Sequence, residues 1–181
     1  MKKIRIGYLG VGPRAQVLLD CYAMHPQAEF VAFADIAESR AADVAAIFNK
    51  AHGTDVKAYT CYEDMINNEN LDALLIASDP DKQVDYAVDA MHRGLHVMTE
   101  VPAAFTIDQC RKLVDAVEKT GVKYQLGEQT RYWNFIKQWR EMAKTAISEK
   151  YTTPRANICI TNRIGISSAT KRPIIRSTPK P

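Results

Sequence analysis

The chain alternates between short, continuously apolar runs and longer segments whose apolar residues recur every three to four positions. Ile4–Leu9, Phe30–Ala34, Ala73–Ala77 and His96–Thr99 are of the first kind and predict strands buried on both faces. Lys57–Tyr59 and Lys123–Leu126 predict two shorter strands. Ala15–Tyr22, Ser39–Phe48, Val84–Met91 and Trp133–Lys144 have helical spacing, and Glu63–Ile66 predicts a short helix. The first helix is expected to bury Val17, Leu18 and Leu19, and the second Val44, Ile47 and Phe48. Gly94 stops the helix before it. Thr106 with Gln109 three residues on has capping-box spacing, and that helix runs to Thr120 before Gly121. Strands alternating with helices predict an α/β fold, a doubly wound parallel sheet of the Rossmann type.

Composition is that of an ordinary globular protein: 181 residues, 46% hydrophobic and 25% charged. That excludes a collagen-like or low-complexity polymer and wholesale disorder. At about 150 residues per domain the length suggests one domain with an appendage. No apolar run approaches the ~18 residues of a membrane span, and the opening residues enter a strand without the pattern of a signal peptide. The four cysteines are dispersed, which suits a reducing cytosol and predicts a cytoplasmic protein. His25, His52 and His92 share no spacing that suggests a metal site.

Charge changes the picture near Thr145. Residues 1–145 carry a net −3, whereas 146–181 hold seven basic residues and one acid, a net +6. The same 36 residues have no Leu, Val or Asp, yet seven Ile and four Pro. The expected division is therefore a domain over 1–145 and an irregular basic tail over 146–181. Three readings of the tail are open: a basic arm for nucleic acid, a disordered linker, or a segment translated out of frame. With only Tyr151 as an aromatic and no motif, nucleic acid is not favoured. Back-translating residues 146–161 and starting each codon one base earlier permits GDFGKIYYAEGEYLHY, so the expectation is an out-of-frame remnant of a further domain.

The candidate chemistry lies in Gly10-Val11-Gly12-Pro13-Arg14-Ala15, which fits G-x-G-x-x-G/A between a strand and a helix. The first glycine allows the tight turn, the second lets backbone approach a pyrophosphate, and Ala15 lets the helix pack closely. The helix N-terminus then offers unpaired N–H groups and a positive dipole end to the anion. Asp35 closes the second strand 20 residues beyond Ala15. A carboxylate there accepts from ribose hydroxyls and repels a 2′-phosphate, which predicts NAD rather than NADP. Arg40 is close enough to stack on adenine or meet a phosphate, which weakens that preference.

With these residues in place the chain resembles the N-terminal domain of the Gfo/Idh/MocA oxidoreductases, over about residues 2–144. Gly94-Leu95-His96-Val97-Met98-Thr99-Glu100-Val101-Pro102 is similar to the family's G-K-H-V-x-x-E-K-P, and Val101-Pro102-Ala103-Ala104 resembles an E-V-P-A-A branch. The resemblance implies NAD(P)-dependent hydride transfer on sugars, cyclitols or related polyols. It also implies a second α/β domain that carries the substrate contacts and often the homo-oligomer interface. The cofactor contacts it implies are Gly10, Val11, Gly12, Pro13, Arg14, Ala15, Asp35, Ile36, Arg40, Ala77, Ser78, Asp79, Gln83, Glu100, Val101 and Gln129.

Three departures from the family pattern bear on chemistry. Val101 replaces a lysine and can neither donate nor carry charge. Asp79 and Gln83 stand where the family's T-P-x-x-x-H has Pro and His. The second domain is not among these residues, so no catalytic residue is assigned. The expected activity is that of the dinucleotide-binding portion of an oxidoreductase, inactive by itself and prone to self-association. The alternative is a non-catalytic dinucleotide-binding or regulatory module. Of the remaining candidates, Glu100 is either a ribose contact or a strand-end carboxylate held by backbone. His96 is expected to be structural, Arg131 an anion contact or a surface residue, and the Trp133, Phe135, Ile136 and Trp139 stripe core or interface.

Overall fold

The computed structural model describes residues 2–144, and the tail predicted over 146–181 lies outside the described residues. The elements run β1 (Ile4–Leu9), α1 (Pro13–Ala23), β2 (Ala28–Ala34), α2 (Glu38–His52), β3 (Lys57–Tyr59), α3 (Tyr62–Asn68), β4 (Ala73–Ile76), α4 (Pro80–His92), β5 (His96–Thr99), α5 (Ile107–Thr120), β6 (Tyr124–Leu126) and α6 (Asn134–Lys144). A short 3-10 helix, Gln129–Tyr132, precedes α6. The six strands form one sheet in the order β3-β2-β1-β4-β5-β6, with every neighbouring pair parallel. This is the doubly wound α/β fold that the alternation predicts. Two compact units divide between Glu128 and Gln129. Among the described residues, no helix is long and apolar enough to cross a membrane.

Both faces of the sheet are covered, as the apolar strands require. On one face Tyr8, Phe33 and Leu75 pack with Ala15 and Leu19 of α1 and with Val44, Ala45 and Phe48 of α2. On the other, Leu9, Ala34, Leu74 and Ile76 pack with Met65 of α3, Val84 and Ala87 of α4, and Leu113 of α5. Neighbouring residues of β1, β2 and β4 thus serve opposite cores, following the two-residue period of a pleated strand. Phe30, Phe33 and Phe48 meet edge to face at 5.4–5.9 Å, an arrangement worth about 0.5–1.5 kcal/mol per pair beyond area burial.

Two expectations about helix faces are corrected. Val17 and Ile47 are each 70% exposed. Val17, Leu18 and Leu19 are consecutive and span about 200° of a helix, so they cannot all face one sheet. Ile47 adjoins Phe48, and the larger ring takes the core position. Helix α4 also starts four residues before the expected Val84, because Asp79 and Pro80 open it. The Asp79 carboxylate accepts the Asp81 N–H at 3.1 Å, and Pro80 at the first helical position loses no bond. The Thr106–Gln109 capping box is present as predicted.

The sheet positions the site through one repeated contact. Beyond each strand the next residue still bonds the last carbonyls of its neighbour. Gly10 N–H donates to Ala34 O, Ala77 N–H to Leu9 O, Glu100 N–H to Ile76 O and Gly127 N–H to Thr99 O, each at 2.8 Å. The carboxyl ends of β1, β2, β4, β5 and β6 are therefore held level, and their loops leave from one edge. In a sheet of this order that edge, where β1 and β4 lead in opposite directions, is the crevice in which ligands bind.

Candidate functional site

The glycine loop is shaped by what each residue lacks. Gly10 has φ +83°, and a Cβ there would stand 2.6 Å from Ala77 O. Only glycine allows the turn to press this closely on the end of β4. A Cβ on Gly12 would meet nothing within 4 Å, so the missing side chain there leaves open space. Gly12 caps α1 with no side-chain hydrogen bond, and Pro13 follows at the first helical position. The first N–H groups of α1 thus have no side chain over them. Ala15 is buried and lets α1 sit close to the sheet.

Asp35 is joined to this loop. Its side chain is almost wholly buried, a costly place for a carboxylate unless every lone pair is met. Oδ2 accepts the Val11 N–H at 3.0 Å, and Oδ1 accepts the Ala37 N–H at 2.9 Å. Arg40 Nη1 lies 3.1 and 3.3 Å from the two oxygens. Val11 is itself fully buried, and Gln16 Nε2 donates to its carbonyl at 2.9 Å.

A cavity of about 210 Å³ opens beside these groups. The glycine loop contributes Gly10 and Gly12, the end of β2 contributes Asp35, Ile36 and Arg40, and the end of β4 contributes Ala77, Ser78 and Asp79. Lys82 and Tyr86 of α4 also line it, and neither was singled out from the sequence. Their i, i+4 spacing behind the Asp79-Pro80 cap is the signal that could have found them. The volume is below the ~300–1,000 Å³ of a pocket for a whole drug-sized ligand, so it suits one part of a dinucleotide. Ser78 Oγ is buried with no hydrogen-bond partner. An orphaned hydroxyl, a glycine cradle and uncapped helix N–H groups fit a ligand with hydroxyls and phosphates. A larger cleft of about 520 Å³ lies by Lys3, Arg5, Lys57 and Glu69 and includes none of the motif residues.

Seven of the singled-out residues in this unit do not line the cavity, although they lie in its loops or behind them: Val11, Pro13, Arg14, Ala15, Gln83, Glu100 and Val101. Arg14 reaches across to the loop after β5, where Nη2 and Nε donate to Glu100 Oε1 at 2.9 and 3.2 Å. Neither expectation for Glu100 included this pairing. Gln83 is buried and its Nε2 donates to Glu100 O at 2.7 Å and Pro102 O at 2.8 Å. Val101 is partly exposed. Burial pushes the Tyr8 and Tyr22 hydroxyls above the ordinary tyrosine range, and the Glu100 charge adds to both shifts. His96 Nδ1 accepts the Lys123 N–H at 3.1 Å, a tie between strand ends.

Gln129 falls in the other unit, where it opens the 3-10 helix. There the Trp133, Phe135 and Trp139 rings form a chain with centroids 5.5 and 5.2 Å apart. All three are exposed and only Ile136 of the predicted stripe is buried, so the core reading is corrected for the three rings and the interface reading stays a proposal. Among the described residues, no group of three His, Cys, Asp or Glu could hold a metal ion.

Residues 4–128 match the family model described as the oxidoreductase family with an NAD-binding Rossmann fold, Gfo/Idh/MocA. The rhizopine catabolism protein MocA of Rhizobium meliloti is 34% identical over 142 residues, which cover 78% of this chain and 42% of that protein. The glycosyl hydrolase family 109 protein 1 of Bacteroides thetaiotaomicron is 30% identical over 124 residues, covering 66% of this chain and 27% of that one. A dehydrogenase from Chromobacterium violaceum superposes with a TM-score of 0.71 at 25% identity, over 80% of this chain and 41% of that chain. The chain thus spans less than half the length of each of these relatives.

Proposed function

The chain belongs to the Gfo/Idh/MocA oxidoreductase family, and from that premise we propose that it supplies the dinucleotide-binding part of an NAD-dependent oxidoreductase acting on sugar-like or cyclitol alcohols. One observation carries the reading: the Asp35 carboxylate and the Gly10–Gly12 turn line the same cavity and are joined through the Val11 N–H. Asp35 and Ser78 would meet ribose hydroxyls, Gly12 and the start of α1 the diphosphate, and Arg40 the adenine. The nicotinamide, when bound, supplies hydride transfer. NAD is preferred to NADP, because a 2′-phosphate would approach a buried carboxylate whose nearest cation is already paired. Arg14, Gln83, Glu100 and Val101 support the diphosphate and the half of the dinucleotide beyond it, and a contact from Gln129 rests on the family resemblance alone.

Val101 can neither give nor take a proton, so proton transfer to or from the substrate would fall to another group. By themselves these 181 residues bind dinucleotide and turn over little. The same valine favours the second reading, a dinucleotide-binding or regulatory module without catalysis. Cys21, Cys61 and Cys110 are free thiols, in keeping with a cytoplasmic setting.

The test pairs a binding assay with the absorbance of reduced nicotinamide, using NAD and a panel of cyclitols and hexoses. The reading expects bound dinucleotide and little turnover. Rapid turnover, or no dinucleotide bound, would contradict it. Reading the coding DNA across codon 145 tests whether 146–181 is in frame: a shifted frame that continues the family pattern supports the out-of-frame proposal, and an unbroken frame overturns it.

A further inference from the structure

Arg14 and Glu100 are 86 residues apart in the chain and come from opposite sides of the crevice, the loop after β1 and the loop after β5. Their circumstances are unequal. The Arg14 side chain is 46% exposed and that of Glu100 11%. The Glu100 backbone is fixed from two directions, its N–H donating to Ile76 O at 2.8 Å and its carbonyl accepting from buried Gln83 at 2.7 Å. Its carboxylate also lies against Gly127, where a Cβ would stand 3.9 Å from Oε2. The acid is therefore the fixed member of the pair and the guanidinium the movable one. Arg14 sits in the first turn of α1, two residues beyond Gly12, at the helix end that favours anions.

Resting on the dinucleotide reading, we propose that Glu100 is a positioning residue that competes with the diphosphate for Arg14, so that binding transfers the guanidinium from the carboxylate to the ligand. The arginine end of the pair is open to solvent, which screens it, and a diphosphate offers a guanidinium planar, two-point contacts that a single carboxylate oxygen does not. The pair thereby holds the cation ready and tempers affinity for anionic ligands. Gln83 acts behind it by fixing the Glu100 backbone.

The test is calorimetric titration of the full chain with ADP-ribose, which carries the diphosphate, and with adenosine, which carries none. Glu100→Gln frees Arg14 and is expected to tighten ADP-ribose by about threefold to tenfold, with adenosine unchanged. The gain should shrink with added salt. In the Arg14→Ala background the same substitution should give no gain, and Arg14→Ala alone should weaken ADP-ribose several-fold. Arg14 is exposed and outside both cores, so this second variant carries the test if Glu100→Gln does not fold. Unchanged or weaker ADP-ribose binding by Glu100→Gln, or an equal gain for adenosine, would overturn the proposal. A wild-type chain that binds neither ligand would overturn the dinucleotide reading itself, and this proposal with it.

Discussion

The Asp35 carboxylate accepts the Val11 backbone N–H at 3.0 Å, so the acid that ends β2 also holds the shape of the glycine loop after β1. One buried side chain thus serves stability and ligand choice together. Asp35→Ala leaves the Val11 and Ala37 N–H groups without their acceptor, at a cost of about 1–3 kcal/mol for a buried unsatisfied donor. Thermal melting should show a fall of several degrees. NADH affinity should drop at least ~10-fold, while the ratio of NADPH to NADH affinity rises, because the repelling charge is gone and Arg40 is released. Competition between the two nucleotides on the variant measures this.

Gly10 and Gly12 separate folding from binding. Gly10→Ala forces a Cβ to within 2.6 Å of Ala77 O at a positive φ. Strain alone costs about 1–2 kcal/mol, and the backbone overlap adds to it, so melting should fall clearly. Gly12→Ala meets nothing within 4 Å and has φ −66°, which any residue adopts. It should melt like the parent and yet bind NADH much more weakly, since the methyl fills the space proposed for the diphosphate. Melting curves and titrations of the two variants check both halves.

Acid stability should depend on Glu69. Burial works against its charge, but Lys57 Nζ at 2.8 Å, the Tyr59 hydroxyl at 2.6 Å and Arg5 together hold its carboxyl below the ordinary range. A lowered folded value contributes stability that is present above the unfolded value of about 4.3 and lost as pH falls through the folded one. Glu69→Gln should lower stability at neutral pH by about 1–3 kcal/mol and flatten the acid limb of the stability profile. The Tyr59 hydroxyl, pushed up to about 12 by burial and by Glu69, keeps donating well into alkaline pH. Its stabilisation is complete below about 10 and fades as pH rises toward 12. Denaturant unfolding across pH measures both limbs.

What the sequence revealed was local. The glycine turn and the Thr106–Gln109 capping box are motifs of residues a few positions apart, and Asp35 stood out by its fixed spacing from the turn, although what holds it there, the Val11 N–H, comes from another strand end. The parallel sheet followed from strands apolar on both faces. Helix faces were less legible. Val17 and Ile47 sit beside larger or equal apolar neighbours, and pattern alone does not decide which of two adjacent residues a core accepts. The start of α4 was written in Asp79-Pro80, but the apolar spacing begins only at Val84 and drew the boundary there. The Arg14–Glu100 contact could not be read at all, since it depends on β1 and β5 being brought to one edge with β4 between them. For Lys82 and Tyr86 the i, i+4 spacing places both on one helix face, but charge and aromaticity do not show which loop that face meets.

The most direct test of the account is calorimetric titration of the 181-residue chain with NADH and with NADPH. The account predicts saturable binding of NADH, weaker binding of NADPH, and a narrowing of that difference in Asp35→Ala. No binding of either nucleotide, or a preference for NADPH that Asp35→Ala leaves unchanged, would contradict it.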